Sequence, residues 1–189
     1  MQGHARAGER TCRTHGPAVK RERVLSLRGV VDLQAQQRFL GLAIAEAVAG
    51  VEARAGGPFG AVVVQGGTVI ARAHNCVTSR PDASAHAEVE AIRAGCAALG
   101  THSLAGCELY ASCEPCPMCL SAIHWARIDR VYCAATRADA AAAGFDDVRL
   151  HDQLIRPDAK LGIDVIHLPG PESDVPFAAW ARLEGRRPY

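Results

Sequence analysis

Long apolar runs are missing from this 189-residue chain, and so is a strong excess of charge of either sign. Its longest apolar stretches fall far short of the roughly 20 residues that a membrane-spanning helix needs. The net charge of +1 excludes a polycation that would bind nucleic acid over its whole surface. Internal repeats and low-complexity linkers are absent as well. Because 49% of the residues are apolar, one globular domain with a substantial core is expected.

The eight cysteines are too sparse for the disulfide framework of a small secreted domain. No apolar segment of the secretory-signal type follows the N-terminal charges, so we expect a cytoplasmic protein. In a reducing compartment, clustered cysteines bind metals or do redox chemistry more often than they form disulfides. Their spacing is therefore a first indication of function.

Positive charge is concentrated at the N-terminal end of the chain. Residues 1–28 carry seven Lys and Arg against two Glu, whereas the remaining 161 residues carry 14 basic and 18 acidic groups. This basic segment also lacks hydrophobic periodicity, as disordered tails do. We expect a disordered extension over 1–30, with an Arg-rich transit peptide as the alternative, and one folded domain over 31–189.

Hydrophobic spacing predicts five helices and five strands in alternating order. Asp32 is expected to cap the first helix, and residues 65–68 are expected to close a β-hairpin. The order of helix, hairpin and then alternating strands and helices predicts an α/β fold, with a mixed sheet covered by helices on both faces. The predicted helices cover 33–54, 82–99, 116–125, 138–143 and 175–183, and the predicted strands cover 59–64, 69–73, 108–111, 130–134 and 164–168.

Two short motifs, each at the start of a predicted helix, carry the chemistry. One contains His86 and Glu88, and the other contains Cys116 and Cys119. One imidazole and two thiolates supply three zinc ligands, which leaves the fourth position for water, as in catalytic sites. The cysteines are three residues apart at a helix N-terminus, where the positive potential favours thiolates. Glu88 lies near enough to exchange a proton with that water without binding the metal.

Each motif alone also has an ordinary explanation. A C-x-x-C pair can be redox-active or half of a zinc ribbon, and an H-x-E triplet can be a simple helix start. A non-catalytic zinc module, however, would not need Glu88. Together and in this order, the two motifs match the signature of zinc-dependent nucleobase deaminases.

The same residues resemble the cytidine and deoxycytidylate deaminase superfamily, and most closely its bacterial guanine deaminase branch. The resemblance extends from about Asp32 to Tyr189. The segment Ala-Gly-Phe-Asp-Asp at 143–147 and the terminal Pro-Tyr are the features that distinguish the guanine branch. Further matching stretches are Pro-Phe-Gly-Ala at 58–61, Asn75, 112–119 and 123–127.

This resemblance implies a three-layer α/β/α sandwich around a five-stranded mixed sheet, and a homodimer with swapped C-terminal segments. One zinc ion per subunit would be held by His86, Cys116 and Cys119, with Glu88 as the proton shuttle. It also implies roles in substrate binding for five residues: a hydrogen bond from Asn75, stacking by Phe59, an acceptor on Asp147, pocket lining by Trp125, and closure of the neighbouring subunit's site by Tyr189.

The implied reaction is the hydrolysis of guanine to xanthine and ammonia, a step of purine catabolism or salvage, on a small-molecule base. An adenosine deaminase of tRNA shares the metal motifs, and guanosine, cytosine or ammeline deaminases are further alternatives. A nucleic-acid enzyme should carry a basic face. The chain beyond residue 28 has 14 basic against 18 acidic groups, which disfavours a nucleic-acid partner.

Overall fold

A computed structural model of the chain describes residues 33–145, 147–154 and 175–185. Several sequence predictions lie outside these residues, namely the extension over 1–30, the cap at Asp32, the strand over 164–168 and the role of Tyr189. No helix within the described ranges is long and apolar enough to cross a membrane.

Six helices and four strands make up the described part of the chain. The helices are α1 (Leu33–Glu52), α2 (Ala87–Leu99), α3 (Pro117–Trp125), α4 (Arg137–Ala142), α5 (Asp147–Leu154) and α6 (Val175–Arg182), and the strands are β1 (Gly60–Gln65), β2 (Thr68–His74), β3 (Cys107–Cys113) and β4 (Arg130–Ala135).

The strands form one mixed sheet in the order β2-β1-β3-β4. Strand β1 is antiparallel to both β2 and β3, whereas β3 and β4 are parallel. The predicted hairpin is present, and its two turn glycines, Gly66 and Gly67, have positive φ of 56° and 81°. Such angles suit the tight turns that match the twist of paired strands. The mixed α/β sheet is therefore confirmed, with four of the five expected strands in the described residues.

Strand β1 is buried on both sides, because its side chains alternate between two cores. Ala61 and Val63 belong to a cluster with residues of α2 and α3. Val62 and Val64 pack in a second cluster with Phe39 of α1. This explains why the strand reads as a continuous apolar run rather than an alternating one.

Helix α2 begins five residues later than predicted. The Asp82 carboxylate accepts hydrogen bonds from the backbone N–H and the hydroxyl of Ser84, at 2.8 and 2.7 Å. These bonds hold residues 82–84 in a turn and so delay the helix until Ala87. The short polar helix α5 is an element that hydrophobic spacing did not predict.

Candidate active site

The two motifs meet because each stands at the N-terminus of a helix beside the central strands. His86 is the N-cap of α2, with extended backbone angles of φ −71° and ψ 152°. Cys116 is the N-cap of α3, and Pro117 occupies the first turn as the sequence predicts. Both helices therefore direct their N-terminal ends, which carry positive potential, toward one place.

The three predicted metal ligands form a compact group. The Nδ1 atom of His86 lies 3.6 Å from the Sγ of Cys116 and 3.5 Å from the Sγ of Cys119. All three ligand atoms lie within 4.8 Å of one another. Tetrahedral bonds of about 2.0 Å to nitrogen and about 2.3 Å to sulfur would separate those atoms by about 3.5 Å. The donor set and its spacing thus fit a zinc ion.

The thiols of this group are electrostatically unequal. Interaction with the Cys119 thiol lowers the pKa of the Cys116 thiol to about 4, against the opposing effect of burial. The same interaction and burial raise the pKa of Cys119 well above its usual range. Because zinc binds thiolates, a metal that binds here would displace any proton that the two thiols still hold.

Glu88 lies beside the thiols on the first turn of α2 and is only 6% exposed. Its Oε2 atom accepts a hydrogen bond from the Sγ of Cys119 at 3.4 Å. Burial raises the pKa of Glu88 above its ordinary value. A raised pKa makes it easier for a carboxyl group to hold a proton that it has accepted and to return it, as a general acid and base must.

A cavity of about 260 Å³ opens next to Glu88, near the lower limit of about 300 Å³ for small-molecule pockets. Phe59 forms part of its wall and meets Phe145 edge to face, with ring centroids 4.8 Å apart at 77°. Sequence reasoning included Phe145 in a matching segment but gave it no role. The cavity is lined by Gly57, Phe59, Asn75, Val77, Thr78, His86, Glu88, Glu114, Cys116 and Phe145.

Asn75 lies in this cavity with its amide held in one orientation. Its Oδ1 atom accepts hydrogen bonds from the backbone N–H groups of Gly57, at 3.2 Å, and Val77, at 3.1 Å. Because these donors require an oxygen, the amide NH2 is the group directed away from them. Gly56 makes this arrangement possible, since a Cβ there would lie 2.0 Å from Oδ1.

Glu114 is a second cavity residue that sequence reasoning left without a role. Its carboxylate pairs with the guanidinium of Arg137 and accepts the backbone N–H of the same residue at 3.2 Å. These hydrogen bonds lower the pKa of Glu114. The pair ties the end of β3 to the start of α4, the helix that leads to Phe145.

The other three predicted substrate residues are not part of the described cavity wall. Trp125 ends α3 with 57% of its surface exposed and lies 5.9 Å from the guanidinium of Arg127. Asp147 begins α5, two residues after Phe145, and its side chain is outside the described part. Tyr189 is also outside it. The structure therefore brings the metal ligands, Glu88, Asn75 and Phe59 together.

Comparisons with known proteins agree with this geometry. Residues 33–135 match the cytidine and deoxycytidylate deaminase zinc-binding region. The chain is 46% identical to the guanine deaminase of Bacillus subtilis over 153 residues. This alignment covers 81% of the present chain and 98% of the Bacillus subtilis protein. The crystal structure of Bacillus subtilis guanine deaminase matches with a TM-score of 0.76 over the same shares of the two chains.

Two further relatives show how far the similarity extends. A tRNA-specific adenosine deaminase of Agrobacterium fabrum is 49% identical over 90 residues, or 45% of this chain and 59% of that protein. The structure of a guanine deaminase from Nitrosomonas europaea is 34% identical with a TM-score of 0.54, covering 68% and 69% of the two chains. With both motifs inside the matched region, the chain belongs to the cytidine and deoxycytidylate deaminase family, as a zinc-binding homologue of guanine deaminase.

Proposed function

We propose that this chain catalyses the hydrolysis of guanine to xanthine and ammonia. The observation that carries the proposal is the placement of Glu88 between a His/Cys/Cys ligand group and an aromatic-walled cavity that contains Asn75. A relative that is a guanine deaminase and aligns over 98% of its length supports the choice of base.

One zinc ion per subunit would be held by His86, Cys116 and Cys119. When bound there, zinc supplies a Lewis acid that makes water a nucleophile at neutral pH. Glu88 takes a proton from the attacking water and delivers it to N3 of guanine as C2 is attacked. It then carries the proton of the new C2 hydroxyl group to the amino group, so that the C2–N bond breaks, ammonia leaves and C2 becomes a carbonyl carbon of xanthine. The raised pKa of Glu88 suits a group that works in both directions.

The base would be recognised by stacking and by hydrogen bonds. Phe59 offers a ring face or edge to the purine, and Asn75 offers its amide NH2 to a purine acceptor. Asp147 would accept a hydrogen bond from the purine edge, and Trp125 would complete the wall of the pocket. Buried polar groups left unpaired by a wrong base explain how such a site discriminates.

The finer architecture that we propose is a three-layer sandwich whose sheet gains a fifth strand from 164–168. Its C-terminal segment would cross to a second subunit, so that Tyr189 closes the partner's site. Helix α6 supports this exchange because Phe177 is 75% exposed and Trp180 is 42% exposed. Large exposed aromatic side chains on a short helix are typical of a surface that another chain covers.

We propose a cytoplasmic location, since a reducing compartment keeps the thiols of Cys116 and Cys119 from oxidising to a disulfide and so leaves them available to a metal. The competing proposal is a tRNA adenosine deaminase, which finds support in the Agrobacterium fabrum relative. That relative aligns over only 59% of its length, whereas the Bacillus subtilis guanine deaminase aligns over 98%.

An ammonia-release panel with the zinc-loaded protein tests the proposed function. It compares guanine with guanosine, adenine, cytosine, ammeline and a tRNA anticodon stem-loop. We expect the highest kcat/KM with guanine and xanthine as the product. Faster turnover of the stem-loop, or of any other compound in the panel, would contradict the proposal.

A further inference from the structure

A second glutamate on α2 has no part in the mechanism above. Glu90 follows Glu88 by two residues, and its side chain is only 3% exposed. A buried carboxylate without partners is strongly unfavourable, so its surroundings must compensate for the lost hydration. Two guanidinium groups do so.

Arg80 and Arg93 approach Glu90 from different parts of the chain. The Nη1 of Arg80 pairs with Oε2 of Glu90, and the Nη1 of Arg93 lies 2.5 Å from Oε1. Arg93 stands one turn further along α2, whereas Arg80 belongs to the loop between β2 and α2. Arg93 also contacts that loop, at 3.8 Å from Asp82 and 3.4 Å from the hydroxyl of Ser84.

The loop held in this way connects the two halves of the site. It begins with Asn75, the candidate base-binding residue, and ends with His86, the candidate metal ligand. Between them, Val77 and Thr78 line the cavity. The backbone N–H of Cys76 donates to the carbonyl of Ala85 at 2.9 Å, so the ends of the loop lie side by side.

Hydrogen bonds and ion pairs attach the rest of the loop to the body of the domain on two sides. Thr78 and Ser79 both donate to the carbonyl of Ala55, at 2.9 and 3.0 Å, and fix the cavity side. On the outer side, Arg80 bonds to Glu90, while Asp82 and Ser84 contact Arg93. The bond between Arg80 and Glu90 joins the middle of the loop to α2. Because α2 has His86 at its N-cap, this bond constrains the middle of the loop relative to its metal-binding end.

We propose that Glu90, acting through Arg80, is a positioning residue that keeps the base-binding and metal-binding ends of this loop in register. The substrate part of this inference rests on the proposed function, whereas the metal part does not. Loss of the bond lets the loop move, so that zinc leaves faster and guanine binds less tightly, while Glu88 keeps its place for the chemical step.

The test compares Glu90→Gln, Arg80→Gln and the double variant with the wild-type enzyme. The matched control is Glu108→Gln, which breaks a Glu–Arg pair at 3.5 Å on β3, with 70% of the arginine side chain exposed. For each protein, we measure the rate of zinc transfer to a colorimetric chelator, KM and kcat for guanine, and Tm. The chelator assay is run well below the lowest Tm.

In each single variant we expect zinc transfer and KM to rise about tenfold, with kcat changed less than about twofold. Glu90→Gln also weakens the pair with Arg93, so its effect should be at least as large as that of Arg80→Gln. The double variant should match Glu90→Gln, because the bond to Arg80 is already lost there. The control should stay within about twofold of the wild type. A lower Tm with unchanged zinc transfer and KM would overturn the inference, since it would show a merely structural pair.

Failure of this inference can be distinguished from failure of a variant to fold and from failure of the proposed function. If Glu90→Gln does not fold, Arg80→Gln carries the same measurements, because that arginine is 33% exposed and leaves no large cavity. If the wild-type protein releases no ammonia from guanine, the proposed function fails. The rates of zinc transfer then test the positioning role of Glu90 by themselves. Equal rates in Arg80→Gln and the wild type would refute that role.

Discussion

At the scale of single residues, the surroundings of two glutamates on one helix turn assign them different tasks. Glu88 is packed between Cys119 and the cavity, where burial raises its pKa. Glu90 has its two oxygens engaged by the guanidinium groups of Arg80 and Arg93. Glu88 is thus placed for the proposed proton transfer to the substrate, whereas Glu90 is placed for the proposed positioning of the loop.

Replacing Glu88 with glutamine tests its proposed role as proton shuttle. The amide keeps the size of the side chain but cannot carry a proton between water and the base. We expect Glu88→Gln to bind as much zinc as the wild type and to lose about a hundredfold or more in kcat with guanine. Zinc content is measured by metal analysis and turnover by ammonia release. Near-normal turnover of guanine by Glu88→Gln would contradict the proposed role of Glu88 as proton shuttle.

Gly56 is expected to control the position of Asn75. A methyl group in Gly56→Ala would lie 2.0 Å from the Oδ1 atom of Asn75, so the amide must move and lose its backbone donors. We expect KM for guanine to rise about tenfold, the loss of about one good hydrogen bond.

The matched control for this change is Gly41→Ala on α1, where no atom lies within 4 Å of the added carbon. It should leave KM unchanged and stabilise the helix by about 0.5–1 kcal/mol. Equal KM values for the two variants would show that Asn75 does not bind the base.

At the scale of elements, the turn after β3 joins three of them around the cavity. The backbone N–H of Glu114 donates to Ala135 at the end of β4, at 2.9 Å, and its carboxylate holds Arg137 at the start of α4. Helix α4 has its own capping box, in which Thr136 and Asp139 satisfy each other's backbone groups. The position of Phe145 at the cavity thus depends on a short helix that is anchored at its N-terminus.

Glu114→Gln should change the pH dependence of stability. The pKa of Glu114 lies below its ordinary value of 4.5, so the bond to Arg137 stabilises the fold above that pH and its contribution disappears as the pH falls through the folded pKa. At neutral pH, we expect the free energy of unfolding of the wild type to exceed that of the variant by less than about 1 kcal/mol, since the pair is partly exposed.

Urea unfolding of both proteins, at neutral pH and at about pH 3, measures this difference. The metal site is the same in both proteins, so its own pH dependence cancels when the free energies of unfolding are subtracted. A difference that stays constant between the two pH values would show that the ion pair contributes nothing.

Element types could be predicted from the sequence, because apolar residues recur with the period of each element. The predicted start of α3 agrees with the observed start to within one residue, since Pro117 is suited to a first helical position. The predicted start of α2 is less accurate, because side-chain hydrogen bonds in the Asp82–Ser84 turn compete with helix formation and hydrophobic spacing does not reveal them. Helix α5 was missed because it has little apolar surface.

At the scale of the whole molecule, helix α6 and the end of α3 leave large aromatic side chains exposed. Helix α6 contributes no buried residue within the described chain, although it carries Phe177 and Trp180. Trp125 is likewise exposed at the end of α3. These aromatic side chains are the surfaces that the proposed dimer would cover.

A mixing experiment tests whether Tyr189 closes the partner's site. We expect a variant that lacks Tyr189 to bind zinc normally but to turn over guanine poorly, and Glu88→Gln to be inactive. In a mixed dimer of the two, one site would combine an intact Glu88 with a Tyr189 from the neighbour. Co-refolded mixtures should therefore recover activity that neither parent has.

The size of this recovery follows from subunit pairing. Random exchange makes about half of the dimers mixed, and each mixed dimer has one complete site, so about a quarter of wild-type activity is expected. Mixtures with no more activity than the average of their parents would contradict the exchange. Full activity without Tyr189 would remove that residue from the site altogether.

The sequence by itself determined the chemistry and the class of fold. His86, Glu88, Cys116 and Cys119 identify a zinc deaminase because metal preference and proton transfer depend on residue type and on spacing within one helix turn. The alternation of strands and helices indicated a mixed sheet for a similarly local reason.

Only the tertiary structure decided which distant residues meet in and around the cavity. Phe145 meets Phe59, Glu114 holds Arg137, and Arg80 reaches Glu90, in each case across a loop or between elements. Such contacts depend on how the sheet and helices pack in space, and sequence separation carries no information about that distance. The tertiary packing therefore turns a recognisable motif into a particular pocket.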